Sequence, residues 1–241
     1  MEDAVSENAG AQAPLLVAID GPAGSGKSSV SRAAAERLGF GILDTGAAYR
    51  ALAWAALETG TDLDDPAAVE GLMNLWAYDI TLQGEQRVTV GLVGASPIDV
   101  TPAIREHSVS GQVSRVSKHP AVRERLNAMF LDIVAGSGLP GVVIEGRDIT
   151  TVVAPDAPVR ILMTASPEIR ATRRAGELPG MTHAQVLADI EARDAKDALV
   201  VDFLNPAPGV TLVDTSDLDF EQSVQAVIDI VRAVQGAAEK S

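Results

Sequence analysis

The 241-residue chain contains no cysteine, which excludes a disulfide framework, a cysteine nucleophile and a thiolate metal site. Histidine is scarce: His107, His119 and His183 stand far apart, so no histidine metal cluster is expected. No apolar run approaches the roughly 18 residues that a membrane span needs. The opening segment MEDAVSENAGAQA is acidic and polar, without the basic start and apolar stretch of a secretory signal. A cytoplasmic protein with no membrane partner is therefore expected. Lysine is scarce too, four against fifteen arginines.

Hydrophobic residues form 46% of the chain, enough for a sizeable core, which excludes a disordered chain. The formal net charge of −14 argues against a general nucleic-acid or anionic-membrane binder. The charge is uneven: residues 101–175 carry ten Lys/Arg and seven Asp/Glu, a net of +3, which leaves −17 elsewhere. Arginine suits bidentate recognition of phosphate and carboxylate. The middle segment either holds a small anionic ligand or merely reflects genome base composition.

Short apolar strands alternate with segments of helical period. Leu15–Asp20, Gly41–Leu43, Gly141–Gly146, Val159–Ala165 and Thr211–Thr215 read as strands of a buried parallel sheet. Ser28–Leu38, Ala47–Glu58, Ala67–Trp76, Pro102–Ser117, Ala121–Ala135, a segment through Arg174, Ala184–Ala198 and Glu221–Val234 read as helices. Helices on both faces of such a sheet give an α/β three-layer sandwich with a parallel central sheet. Residues 78–100 alternate apolar and polar residues around glycine turns, which predicts a small inserted antiparallel sheet. Residues 1–13 read as a disordered tail and 236–241 as a frayed end, on either side of one unit over 14–235.

The strongest chemical signal is GPAGSGKS, Gly21–Ser28, which fits G-x-x-x-x-G-K-[ST] between a strand and a helix. From the glycine, lysine, serine and threonine counts, a match by chance somewhere in the chain has a probability of about 0.003. In such a loop the glycines let backbone N–H groups point at phosphate oxygens, and the following helix N-terminus favours an anion. Lys27 would place its charge on the outer phosphates and Ser28 would ligate Mg²⁺. Asp20, at the strand end, either helps hold the Mg²⁺ water shell or caps a loop. The chain has no N-K-x-D guanine reader and no apolar strand ending in D-E, so a GTPase and an ATPase motor are disfavoured.

DTGAAYR (Asp44–Arg50), EGRDIT (Glu145–Thr150) and RATRR (Arg170–Arg174) follow successive strands. In open α/β sheets ligands bind beyond the carboxyl ends of strands, so these arginines can converge on one cleft. Alternatively each arginine is structural or lies on a solvated face. Joint placement suits a kinase whose acceptor is itself a phosphate. A phosphate monoester is largely a dianion at neutral pH and needs no general base. It needs in-line positioning and cancelled repulsion, which arginines and Mg²⁺ supply.

The chain resembles one known family, the bacterial cytidylate kinases of the P-loop nucleoside monophosphate kinases. The resemblance runs from about Leu15 to Val231. It rests on IDGPAGSGKSS (19–29), LDTGAAYR (43–50), the IR of DVTPAIR (99–105), VSRVSKHPAVR (113–123), GRDITTVVAPDAPVRILMTAS (146–166), RATRR (170–174) and RDAKD (193–197). It implies transfer of the γ-phosphoryl group of ATP to CMP or dCMP with Mg²⁺. A monomer with no nucleic-acid partner is expected. Position by position, the resemblance implies that Gly21, Pro22, Ala23, Gly24, Ser25, Gly26, Lys27, Ser28 and Ser29 bind ATP, with Ser28 and Asp20 on the metal side. Thr45, Arg50 and Arg147 would hold the CMP phosphate and nearby sugar. Ser114, Arg123 and Asp148 would contact cytosine, and Arg193 and Asp197 the pentose. Arg170, Arg173 and Arg174 would belong to a helical lid at about 168–183, Arg173 as an ATP contact. Lys27, Arg147, Arg170 and Arg174 would neutralise charge during transfer. The insert at 78–100 would be the acceptor-binding subdomain.

Three departures from the family pattern stand out. Thr150 occupies a position that is usually glycine, Val200 one that is commonly arginine, and the stretch between Arg174 and Ala184 is short. Two rival readings stay open. One is a kinase for UMP or for an alcohol, the latter with Asp44 as general base. The other is a nucleotide-binding regulator without turnover.

Overall fold

The computed structural model describes residues 13–176, 182–197 and 205–238, without the side chains of Arg193, Lys196 and Asp197. Val200, most of the expected N-terminal tail and part of the expected lid lie outside the described residues.

Five strands form the central sheet: β1 (Leu15–Asp20), β2 (Gly41–Asp44), β6 (Gly141–Gly146), β7 (Val159–Thr164) and β8 (Thr211–Asp214). All pair in parallel, in the order β2-β6-β1-β7-β8. Their apolar runs feed two cores because successive side chains point to opposite faces. Val17, Ile19 and Val143 pack with Val30 and Ala34 of α1 (Lys27–Leu38) and with Val224, Val227 and Val231 of α9 (Phe220–Ala238). Ala18, Val142 and Ile144 pack on the other face, against α2 (Thr45–Thr59) and α6 (Pro120–Ala135). In α6 the buried positions are Val122, Leu126, Phe130 and Val134, a single stripe at i, i+4 spacing. The expected three-layer sandwich is the observed one.

The second sheet is antiparallel and three-stranded: β3 (Trp76–Ile80), β4 (Val88–Leu92) and β5 (Ile98–Asp99). It occupies the interval where alternation predicts an insert. Three boundaries differ from expectation. Helix α3 (Pro66–Met73) stops before Trp76, which pairs with Leu92 as the first residue of β3. The single helix expected over Pro102–Ser117 is three short pieces: a 3₁₀ turn (Ala103–Arg105), α4 (His107–Ser110) and α5 (Val113–Ser117). Glu106 is extended at φ −63°, ψ 147°, and the buried Ile104 and Val109 are five residues apart, a spacing that a continuous helix would not present to one face. The closing helix continues to Ala238, into the segment expected to fray.

Two further helices, α7 (Pro167–Ala175) and α8 (His183–Asp197), complete the described chain. They share a small cluster of Ala171, Val186 and Ile190. Among the described residues, no helix is long and apolar enough to cross a membrane.

Candidate active site

The parallel register brings three carboxyl ends of strands level: Asp20 pairs with Gly146, and Ile19 and Asp44 both pair with Glu145. The chain after β1 then makes the glycine loop. A Cβ at Gly21 would sit 2.2 Å from the Met163 carbonyl oxygen, so only glycine fits this approach to β7. Gly26 has φ 85° and leads directly into α1, a left-handed conformation that glycine adopts freely. No side chain caps α1, leaving its first N–H groups available to an anion.

Lys27 and Ser28 open that helix and meet the end of β6. The Ser28 hydroxyl donates to Glu145 Oε1 at 2.7 Å, and Lys27 Nζ lies 3.5 Å from Glu145 Oε2. Burial pushes the Lys27 ammonium below its ordinary pKa, while Glu145 pulls it back. At the end of β2, Asp44 accepts from Ala47 N at 3.1 Å, capping α2, and from Arg50 Nη2 at 2.8 Å. Both oxygens are engaged, so the structure does not present Asp44 as a free general base. Thr45 donates from its hydroxyl to the Glu145 carbonyl at 2.9 Å.

Beyond β6, Arg147 donates to the Gly21 carbonyl at 3.1 Å. Asp148 forms an ion pair with Arg123 of α6. Burial raises the Asp148 carboxyl above its ordinary pKa, and the Arg123 charge opposes this. These groups surround one cleft of about 420 Å³, bordered by Lys27, Ser28, Thr45, Arg50, Arg123, Glu145, Arg147, Asp148 and Arg174. Arg105, from the 3₁₀ turn after the small sheet, and the Tyr49 ring of α2 complete its wall. Ser28 and Ser29 also border a second hollow with Arg32 and Phe220.

Several expected residues sit elsewhere. Both Asp20 oxygens are used by loop donors: Ile149 N at 2.7 Å, Thr150 N at 2.8 Å and Thr150 Oγ1 at 2.6 Å. In the structure Asp20 thus caps the loop at 149–150, and the carboxylate beside Lys27 and Ser28 is that of Glu145. Ser114 is exposed, and the cleft is met instead by Val113 and Ser117, which share a face of α5 at i, i+4. Arg170 is buried at 4% exposure rather than facing the cleft. It donates to Ala165 O at 3.0 Å, to Ala23 O at 3.2 Å and to Asp194 Oδ2 at 2.6 Å. Arg173 fastens the back of the glycine loop, donating to Ser25 O at 3.2 Å and to Thr215 O at 2.8 Å. The side chains of Arg193 and Asp197 lie outside the described residues.

Glu145, Arg105 and Tyr49 carry weight that spacing alone did not give them. Glu145 could have been found from its place in the apolar run GVVIEG, once that run is paired with β1.

Comparison with known proteins identifies the family. The family model described as cytidylate kinase matches residues 17–233. The chain is similar to the cytidylate kinase of Cutibacterium acnes, 43% identical over 221 residues, which cover 90% of this chain and 96% of the relative. It is also similar to that of Rhodococcus jostii, 43% identical over 236 residues, covering 93% and 98%. A crystal structure of an uncharacterized protein from Eubacterium ventriosum shares the fold, with a TM-score of 0.50 at 12% identity and coverage of 89% and 96%. The chain belongs to the cytidylate kinase family.

The placement of Arg170 generates a stability prediction. Arg170→Met leaves Asp194 as an unpaired buried carboxylate, so urea denaturation should show a loss of about 3–5 kcal/mol. The double variant Arg170→Met/Asp194→Leu should recover much of it. A normal unfolding midpoint combined with a large fall in turnover would instead assign Arg170 to the nucleotide.

Proposed function

We infer that this member of the cytidylate kinase family transfers the γ-phosphoryl group of ATP to CMP or dCMP, giving ADP and CDP or dCDP. The observation that carries the reading is a single cleft with a phosphate-binding loop at one end and an Asp148–Arg123 pair at the other. The expected division of the chain belongs to the same proposal: one kinase unit over 14–235, the small sheet on the acceptor side, and about 168–183 as lid.

On this reading the loop N–H groups and Lys27 hold the β- and γ-phosphates. Arg50, Arg147 and Arg174 neutralise the acceptor phosphate and the group in transfer. The acceptor oxygen is already anionic, so no side chain needs to remove a proton. The described residues contain no cluster of three or more His, Asp or Glu suited to a metal. Mg²⁺ nevertheless fits, because it is commonly held by one or two oxygen side chains plus substrate phosphates. Ser28 and Glu145, in contact at 2.7 Å, are such a pair. When bound there, Mg²⁺ would supply positive charge between the phosphates. Ser28 would hold it directly, with Glu145 orienting its surroundings.

At the acceptor end, the ionised Asp148 only accepts hydrogen bonds. It matches the amino group of cytosine and opposes the carbonyl oxygen that uracil presents at the same position. Arg123 holds this carboxylate and can donate to the remaining cytosine acceptors. An opposed acceptor discriminates more than an absent contact does.

Two variants test the reading. Lys27→Met should reduce kcat by about 100- to 1,000-fold with the fold intact by circular dichroism; near wild-type turnover would overturn the phosphate-loop assignment. Asp148→Asn should lower kcat/KM for CMP far more than for UMP, shrinking discrimination by about 1–3 kcal/mol. Equal losses for both acceptors would remove Asp148 from base selection.

A further inference from the structure

Asp148 is the acceptor-reading group of the proposed function, and the chain on either side of it is tied to the end of β1. Before it, Arg147 Nη1 donates to Gly21 O at 3.1 Å. After it, Ile149 N donates to Asp20 Oδ1 at 2.7 Å. Thr150 donates twice to Asp20 Oδ2, from its amide at 2.8 Å and from its hydroxyl at 2.6 Å. Asp20 is 2% exposed and Thr150 4%, so these bonds are shielded from water and loosening them leaves buried groups unsatisfied. Neither residue borders the cleft. Asp148 itself has φ −138° and ψ 26°, and its carbonyl accepts from Val152 N at 2.9 Å and Val153 N at 3.2 Å, opening a wide π-type turn, Ile149–Val153. Its backbone is thus held on both sides, by this turn and by the bonds of its neighbours to the end of β1, and the Asp148 carboxylate projects from that fixed backbone toward Arg123.

The Thr150 hydroxyl adds a donor that a glycine would not have. The resemblance noted in the sequence places glycine at this position, which would offer only the amide. Here the side chain supplies a second donor to the same carboxylate oxygen.

We propose that Asp20 and Thr150 form a clasp that sets acceptor-base selectivity without touching the nucleotide. The clasp fixes the backbone on the far side of Asp148, so that its carboxylate faces the base edge rather than swinging with Arg123. Thr150 is thus a positioning residue for selection, and Asp20 its anchor on the strand that leads into the phosphate loop. The inference rests on the proposed reading of Asp148 as the base-selecting group.

The test compares wild type, Thr150→Val, Thr150→Ser and Asp148→Asn, each with CMP and with UMP under saturating ATP and Mg²⁺. Thr150→Val removes the hydroxyl at nearly constant volume. It should lower the CMP-to-UMP ratio of kcat/KM by about three- to tenfold, the worth of one hydrogen bond, and leave the KM for ATP unchanged. Thr150→Ser keeps the donor and should restore the ratio. If Thr150→Val does not fold, Thr150→Ala carries the same expectation. A lowered melting temperature with an unchanged ratio would make Thr150 a fastener only and overturn the proposal. If Asp148→Asn abolishes the preference while Thr150→Val preserves it, the clasp fails and the reading of Asp148 stands. A wild-type enzyme with no preference for CMP over UMP would overturn both.

Discussion

The site depends on the in-register parallel pairing of β1 with β6. Because the strands run in the same direction, the chain leaves both at one edge of the sheet: the phosphate loop from Asp20 and the EGRD segment from Glu145. Every residue of β6 is buried, and its apolar side chains feed cores on both faces. A one-residue slip would exchange the two faces, burying Glu145 away from Lys27 and separating Arg147 from Gly21. Two apolar faces thus fix, at the sheet's edge, the contacts that make the cleft polar.

Each of three cations in that cleft faces its own carboxylate: Lys27 with Glu145, Arg50 with Asp44, and Arg123 with Asp148. In a protein of net charge −14 this keeps positive groups ordered at a partly desolvated edge, where an unpaired charge would be unfavourable. On the proposed reading, an arriving phosphate competes with Asp44 for Arg50 and with Glu145 for Lys27. On the same reading Asp148 would keep Arg123 and offer its own acceptors to the base. Arg105 and Arg174 border the same cleft from different elements, adding positive charge where, on the proposed reading, two highly charged phosphates approach.

The sheet, its flanking helices and the small antiparallel insert were legible in the sequence because each rests on a short-range period. The phosphate loop was legible because its glycines, lysine and serine answer to backbone geometry within eight residues. What was not legible depends on partners distant in the chain. Residues 102–117 carry helix-forming residues, yet docking of Ile104 and Val109 breaks them into pieces. Arg170 looks like a cleft cation until α8 brings Asp194 against it. Ser114 loses its place to Val113 and Ser117 because Val116 turns that helix toward the core. Glu145 gains its importance only from strand register, which one-dimensional spacing does not encode.

On the proposed reading one cleft joins a donor triphosphate to a cytidine monophosphate acceptor. ADP release coupled to an optical readout, measured with MgATP across CMP, dCMP, UMP, AMP and GMP, tests it most directly. ADP release should depend on the acceptor, with the highest kcat/KM for CMP or dCMP, weaker turnover of UMP, and little with the two purine nucleotides. Tight nucleotide binding without ADP release in the presence of CMP, or a preference for AMP or GMP, would contradict it.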